Sequence, residues 1–344
     1  MKKILLFILV FSLFIVNAKA YKIVSLGDSI PNGYLLDDEE DSFDNRLANT
    51  LKADFYEFSY IGMRSDDLLR ELDREEIKNN IKDADMVIIN IGANDLLDLL
   101  EQIDLSALNI DFEYGENIQI NLNKEYLDGI YNYIKSFFED ELEPKAKEAL
   151  LEFKSVFPQI ISKIKEYNPN VKIYVNSLYN PFFDINIPLL SYDLYFISNI
   201  SDEAIKSFNE VINSSDEYTV IDTYNILRNN DYLNINILKG LFDPHPNAFG
   251  HKKLYEAYLK ELCYKVTYED EDYYVLKGSK FDIKPKKKKG YTFKKWNYDI
   301  NKIDKDIVLK EVYKKDINYY LIGSIAIVAL LIVVLIIKQV KKNS

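Results

Sequence analysis

Cysteine is almost absent from this chain, which has one, Cys263, in 344 residues. A single cysteine excludes an intrachain disulfide, so the stability of the protein depends on its hydrophobic core. With 48% hydrophobic and 14% aromatic residues, the sequence has enough apolar material for such a core, which excludes a disordered chain. Cys263 continues the apolar pattern of Leu254, Tyr258 and Leu262, and this pattern predicts a buried packing residue rather than a nucleophile.

Positive charge is scarce in the main part of the chain. The whole sequence has 43 Lys and Arg against 55 Asp and Glu, a formal charge of −12. Residues 21–263 contain 22 basic and 45 acidic groups, a net charge of −23, whereas residues 264–318 contain 15 Lys and 10 acidic groups, a net charge of +5. A strongly acidic body repels phosphate backbones, so we expect no nucleic-acid partner. The length allows roughly two soluble units.

The first twenty residues have the pattern of a secretory signal peptide. Two lysines precede an unbroken apolar run from Ile4 to Val16, and Ala18-Lys19-Ala20 supplies the small residues of a cleavage site. The apolar run is short for a membrane span. We therefore predict that residues 1–20 are removed and that the protein is exported.

A second apolar run, at residues 319–337, contains no charged residue. At a rise of about 1.5 Å per residue it would extend about 28 Å, close to the hydrocarbon thickness of a bilayer. Three lysines follow within residues 338–344. These features predict a transmembrane helix at 319–337 and a basic cytoplasmic tail at 338–344. The protein would span the cell membrane once, with its acidic body outside the bacterial cell.

Short apolar runs alternate with amphipathic stretches after the leader. Residues 86–91 and 171–175 are near-continuously apolar, as strands covered on both faces are. Strand–helix alternation predicts a three-layer α/β/α domain with a doubly wound parallel sheet at residues 21–263. The other predicted strands lie at residues 22–26, 55–60 and 218–221.

Two segments depart from this alternation. Residues 96–170 are far more than one crossover needs and contain helical patterns at 125–140 and 144–167, so we predict a helical insertion that covers a substrate or decorates the surface. Residues 264–318 are rich in Lys and Tyr and alternate like strands. Their Gly-Tyr-Thr-Phe-Lys-Lys-Trp sequence at 290–296 resembles the Listeria–Bacteroides type of surface repeat, which implies a small, mainly β stalk module.

Four short motifs end predicted strands or precede the last predicted helix. They are Gly27-Asp28-Ser29, Gly62 in Tyr-Ile-Gly, Gly92-Ala93-Asn94-Asp95 and Asp243-Pro244-His245. The carboxyl ends of parallel strands form the edge at which open α/β sheets bind ligands. In this order, over roughly residues 21–262, the motifs resemble the SGNH (GDSL) family of serine hydrolases, whose fold is flavodoxin-like. The Leu-Tyr-Asn-Pro segment at 178–181 is similar to the bacterial lipase/esterase branch.

The resemblance implies a role for each motif. Ser29 would be the nucleophile that forms an acyl-enzyme, and His245 would act as general base and then general acid. Asp243 would orient the imidazole. The oxyanion would be bound by the backbone N–H groups of Ser29 and Gly62 and by the side-chain amide of Asn94.

Some neighbouring residues remain as alternatives. Only one residue separates Asp243 from His245, whereas the commonest family form has two, and Asp222 is a less favoured candidate for the acid. The second histidine, His251, begins the last helical pattern and is predicted to pack there. Asp28 is predicted to brace its own turn.

Taken together, the sequence predicts an exported, membrane-anchored serine ester hydrolase of the lipase, esterase or carbohydrate O-deacetylase type. Its substrate would be a neutral lipid ester or an acetylated carbohydrate, and its chemistry would need no cofactor and no metal ion. Two alternatives use the same scaffold. One is a non-catalytic surface-binding or adhesion protein, and the other is an acyltransferase that uses the same serine.

Overall fold

The computed structural model describes residues 20–100, 124–183, 195–236, 241–316 and 319–343. The predicted signal peptide, apart from residue 20, lies outside the described residues. The chain forms two compact units, residues 1–261 and 262–344. The first unit contains a five-stranded sheet and its helices, and the second contains two small sheets and a helix.

The first unit is built on five parallel strands. They are β1 (Lys22–Gly27), β2 (Asp54–Ser59), β3 (Met86–Asn90), β4 (Lys172–Asn176) and β5 (Thr219–Ile221). Their order in the sheet is β2-β1-β3-β4-β5, and each neighbouring pair is parallel. Strand β2 lies on one side of β1, and β3, β4 and β5 follow on the other side. The order of connection therefore reverses between β1 and β3, as in flavodoxin-like sheets. The predicted doubly wound parallel sheet is confirmed.

Nine helices accompany this sheet within the described residues. They are α1 (Phe43–Leu51), α2 (Ser65–Glu71), α3 (Glu75–Lys82), α4 (Ala93–Leu100), α5 (Lys124–Ser136), α6 (Glu143–Tyr167), α7 (Tyr195–Ile212), α8 (Thr223–Ile226) and α9 (Ala248–Leu262). A short antiparallel pair, β6 (Leu233–Asn236) and β7 (Leu241–Pro246), precedes α9.

Alternate residues of the strands face two layers of helices. Val24 of β1 belongs to an apolar cluster with side chains of α2, α3, α6 and α7. Its neighbour Ser25 points to the opposite face, where its hydroxyl donates to Asp44 of α1 at 2.5 Å. On that same face the ring of Tyr174 in β4 packs 6.2 Å from the ring of Tyr258 in α9. The sheet is therefore covered on both faces, which explains the near-continuously apolar strands.

The predicted helical insertion is helical over the part that the structure describes. Helices α5 and α6 are joined by the π-helical turn Phe137–Leu142, so that residues 124–167 run on as one helical stretch. The sequence predicts separate helices at 125–140 and 144–167, because Pro144 favours a helix start. The proline is accommodated in the first turn of α6, where its missing N–H costs little.

The second unit is mainly β. Its strands are β8 (Cys263–Tyr268), β9 (Glu271–Leu276), β10 (Tyr291–Trp296), β11 (Ile307–Val308) and β12 (Glu311–Lys315). They form a three-stranded sheet, β11-β8-β9, and a two-stranded sheet, β10-β12. A small apolar cluster around Val266 and Ile303 stabilises them. Cys263 is buried, as predicted, and burial raises the pKa of its thiol to about 12. The likeness to a surface repeat stays a prediction.

The last helix, α10 (Tyr319–Asn343), covers the segment for which the sequence predicts a transmembrane helix. Among the residues that the structure describes, no helix is long and apolar enough to cross a membrane. The transmembrane helix predicted at 319–337 is therefore not confirmed.

Candidate active site

The candidate site begins at Gly27, where β1 ends against β3. Gly27 has a φ of +145°, and a Cβ atom at this position would lie 2.0 Å from the backbone oxygen of Asn90. Only glycine avoids that clash. The close approach lets the N–H of Asp28 donate to the Asn90 carbonyl at 3.1 Å. The strand end is thereby fixed, and Ser29 follows one residue later.

Ser29, His245 and Asp243 lie in one hydrogen-bonded line. The Oγ of Ser29 is 2.7 Å from Nε2 of His245, and Nδ1 of His245 is 2.6 Å from Oδ1 of Asp243. The same carboxylate oxygen accepts the backbone N–H of His245 at 2.9 Å. A carboxylate on Nδ1 fixes the proton there, so that Nε2 can accept from the serine hydroxyl. The one-residue spacing places the carboxylate against both the ring and the backbone of His245.

The imidazole is held by its surroundings as well. The ring of Tyr34 meets the His245 ring edge-on at a centroid distance of 4.8 Å. The hydroxyl of Tyr179 donates to the carbonyl of Pro244 at 2.6 Å. These contacts fix the end of β7 relative to the segments that follow β1 and β4. The base is therefore positioned by packing on more than one side.

The loop after β2 and the start of α4 bring two further predicted residues together. The side-chain amide of Asn94 donates to the carbonyl of Met63 at 2.9 Å. Gly62 directly precedes Met63, has a φ of +78°, and has open space where a Cβ atom would lie. Asp95 accepts the N–H and the hydroxyl of Ser65 at 3.0 and 2.6 Å. These hydrogen bonds hold the loop after β2 against the start of α4.

The alternative residues have structural contacts. His251 is buried, and its Nδ1 accepts the N–H of Phe43 at 3.2 Å. Burial lowers the pKa of His251 to about 3, so this ring is neutral at ordinary pH. Asp222 caps α8 by accepting the N–H of Asn225 at 3.2 Å. Among the described residues, no group of three or more His, Cys, Asp or Glu side chains is placed to hold a metal ion.

A buried polar chain beneath the serine was not predicted. Oδ1 of Asp28 accepts the N–H of Ile30 at 3.1 Å and the amide of Asn90 at 2.8 Å. The amide of Asn176 donates to Asn90 at 2.9 Å, and the hydroxyl of Tyr258 donates to Asn176 at 2.8 Å. The sequence signal that could have indicated it is an asparagine at the end of each of two apolar strands, Asn90 of β3 and Asn176 of β4.

A parallel α/β sheet whose first strand leads into the serine of a Ser-His-Asp line is typical of α/β proteins that carry a catalytic triad. Residues 25–253 match the GDSL-like Lipase/Acylhydrolase family. The chain belongs to this family, as the order of its motifs predicts.

Individual relatives are more distant. The uncharacterized protein YpmR of Bacillus subtilis (strain 168) is 28% identical over 167 residues, which are 46% of this chain and 52% of YpmR. The match thus spans about half the length of this curated relative. Two solved structures are similar in fold. The lipase Lip_vut3 from a goat rumen metagenome is 21% identical, with a TM-score of 0.48 and coverage of 69% of this chain and 95% of its own. Phospholipase A1 from Streptomyces albidoflavus NA297 is 18% identical, with a TM-score of 0.47 and coverage of 70% and 99%.

We predict that the substitution Asp28→Asn flattens the dependence of stability on pH. Burial raises the pKa of Asp28 to about 7, so between about pH 4 and pH 7 the folded protein holds a proton that the unfolded chain releases. The contribution of Asp28 to the free energy of unfolding therefore falls as pH rises through this window, by about 3–4 kcal/mol. The variant should lose less stability than the unchanged protein over the same window.

Urea unfolding followed by far-ultraviolet circular dichroism, at several pH values in this window, measures the effect. The exposed Asp222, replaced by Asn in the same way, controls for the loss of one carboxylate. Parallel curves for Asp28→Asn and the unchanged protein would contradict the prediction.

Proposed function

We propose that this protein is a serine ester hydrolase that forms an acyl-enzyme on Ser29. The observation that carries the proposal is the hydrogen-bonded line from Ser29 through His245 to Asp243, with distances of 2.7 and 2.6 Å. Membership of the GDSL-like Lipase/Acylhydrolase family supports an acyl ester as the substrate.

In the proposed acylation step, Oγ of Ser29 attacks the carbonyl carbon of the ester. Its proton passes to Nε2 of His245, and the carboxylate of Asp243 stabilises the imidazolium that forms. The tetrahedral intermediate expels the alcohol, which takes the proton back from His245. A water molecule then repeats the sequence on the acyl-enzyme, which releases the carboxylic acid and restores the serine hydroxyl.

The negative charge on the carbonyl oxygen needs donors that are fixed before the reaction. In this proposal they are the backbone N–H groups of Ser29 and Gly62 and the side chain of Asn94. An amide side chain has two N–H bonds, and the Met63 carbonyl accepts one from Asn94. That bond fixes the orientation of Asn94, which leaves the other N–H for the oxyanion.

The substitution Ser29→Ala is expected to lower the hydrolysis of p-nitrophenyl acetate by about six orders of magnitude, because it removes the nucleophile. The exposed Ser155 of α6, replaced by Ala, provides a control that should keep full activity. Labelling with a fluorophosphonate probe should likewise be lost in Ser29→Ala alone. No turnover above the uncatalysed background and no labelling of the unchanged protein would instead favour the non-catalytic binding protein.

The substitution Asp243→Asn is expected to lower turnover by about 10⁴, yet to leave it measurable above Ser29→Ala, because the base loses its orienting partner and the nucleophile stays. The matched control is Asp222→Asn, which removes the alternative acid from the cap of α8. Full activity in Asp243→Asn together with a loss in Asp222→Asn would assign the acid to Asp222.

We further propose that the protein is exported and held at the outer face of the cell membrane. The leader pattern of residues 1–20 and the uncharged apolar run at 319–337 support this proposal. The mature chain is expected to begin at Tyr21, and removal of residues 319–344 is expected to release it into the medium. N-terminal sequencing and cell fractionation measure both outcomes, and a body that protease cannot reach in intact cells would contradict them.

A further inference from the structure

A cleft lies beside the candidate triad within the first unit. Its volume is about 770 Å³, counting the part that is open to solvent. Its walls come from α4, from the π-helical turn and α6, from the segment after β4, and from α7. The π-helical turn and α6 belong to the helical insertion.

The cleft is lined by neighbours of three of the proposed catalytic residues, Ser29, Asn94 and His245. Ile30, which lines it, directly follows Ser29, and Ala93, which also lines it, directly precedes Asn94. Tyr179, a third lining residue, donates its hydroxyl to the carbonyl of Pro244, next to His245. An ester bound with its carbonyl at Ser29 would therefore have this cleft beside its acyl carbon.

The walls of the cleft are apolar. The apolar lining includes Leu96 and Leu97 of α4, Leu142 of the π-helical turn, Ala146 of α6, Phe182 and Ile205. The described lining includes no charged side chain, although 28% of the residues in the chain are charged. An alkyl chain gains free energy from every methylene group that such walls remove from water.

Three of the four polar side chains in the described lining, those of Asn90, Ser177 and Tyr179, have partners in the protein; the fourth polar side chain is Ser201. The amide of Asn90 donates to Asp28, and its oxygen accepts from Asn176. The hydroxyl of Ser177 accepts the N–H of Tyr224 at 3.0 Å. The hydroxyl of Tyr179 is likewise engaged. A sugar placed here would leave most of its own hydroxyl groups without partners, which costs free energy.

We propose that this cleft is the acyl-chain pocket, and that it selects esters of medium-chain and longer fatty acids over acetate esters. The inference rests on the proposed function and narrows its substrate to lipid-like acyl esters. The helical insertion would set the chain length, because Leu142 and Ala146 form the wall that it contributes.

The chain-length profile of the full-length protein tests this inference. The measured quantity is kcat/KM for the p-nitrophenyl esters of acetate, butyrate, octanoate and decanoate. We expect a rise of about two- to fourfold for each added methylene until the cleft is filled. A profile that is highest for acetate and falls with chain length would overturn the inference, provided that the hydrolysis of acetate depends on Ser29.

Two variants narrow the cleft from two of its helices. In Ala146→Phe of α6 and in Ala204→Phe of α7, the new ring would fill space that the acyl chain needs, so the ratio of decanoate to acetate turnover should fall at least tenfold. The control is Leu151→Phe on the same helix as Ala146, where the side chain is 69% exposed, and its ratio should not change.

An unchanged ratio in both variants would overturn the pocket while leaving the ester hydrolase intact. The absence of Ser29-dependent turnover on every ester would instead overturn the proposed function and the pocket with it. Should one variant fail to fold, which its circular dichroism spectrum reports, the other still tests the cleft.

Discussion

The site depends on one close approach, that of Gly27 to Asn90 between β1 and β3. Because no side chain intervenes, the backbone of Asp28 bonds directly to the Asn90 carbonyl. Ser29 is therefore presented at the sheet edge by two neighbouring strands rather than by one loose loop. His245 of β7 and Asn94 of α4 come from later parts of the chain, and they act together only if they are positioned relative to this fixed strand end.

The same two strands anchor the chain of polar groups below the serine. Asp28, Asn90, Asn176 and Tyr258 connect β1, β3, β4 and α9 through buried hydrogen bonds. Buried polar groups that satisfy each other specify one arrangement of the elements they join. Among the described residues, Oδ2 of Asp28 has no hydrogen-bond partner, so no donor at this oxygen stabilises the ionised form, in agreement with the raised pKa of Asp28. The buried Asp28 thus lowers the free energy of unfolding at neutral pH, and it does so directly beside Ser29, whose position must be fixed.

Much of this arrangement could be predicted from the sequence, for a physical reason. Apolar runs identify buried strands, and the carboxyl ends of parallel strands meet at one edge, so motifs after successive strands converge there. The polar chain beneath Ser29 escaped prediction because Asn176 and Tyr258 are 82 residues apart, and no local pattern pairs them. The cleft escaped it for the same reason, since its walls come from α4, α6 and α7, which meet only through packing. The π-helical turn was hidden by Pro144, which indicates a helix start without excluding a continuous helix.

Charge and apolar surface act on the substrate over different distances. The net charge of −23 on residues 21–263 repels anionic polymers before contact, over a range that salt shortens to about one Debye length. The cleft acts only after contact, through the apolar area that it covers. An acetylated neutral polysaccharide is not repelled by the negative charge, but it gains little from the cleft because an acetyl group leaves most of the cleft unfilled. A neutral lipid ester is not repelled and also fills the cleft. The acidic body and the uncharged cleft therefore favour the same class of substrate.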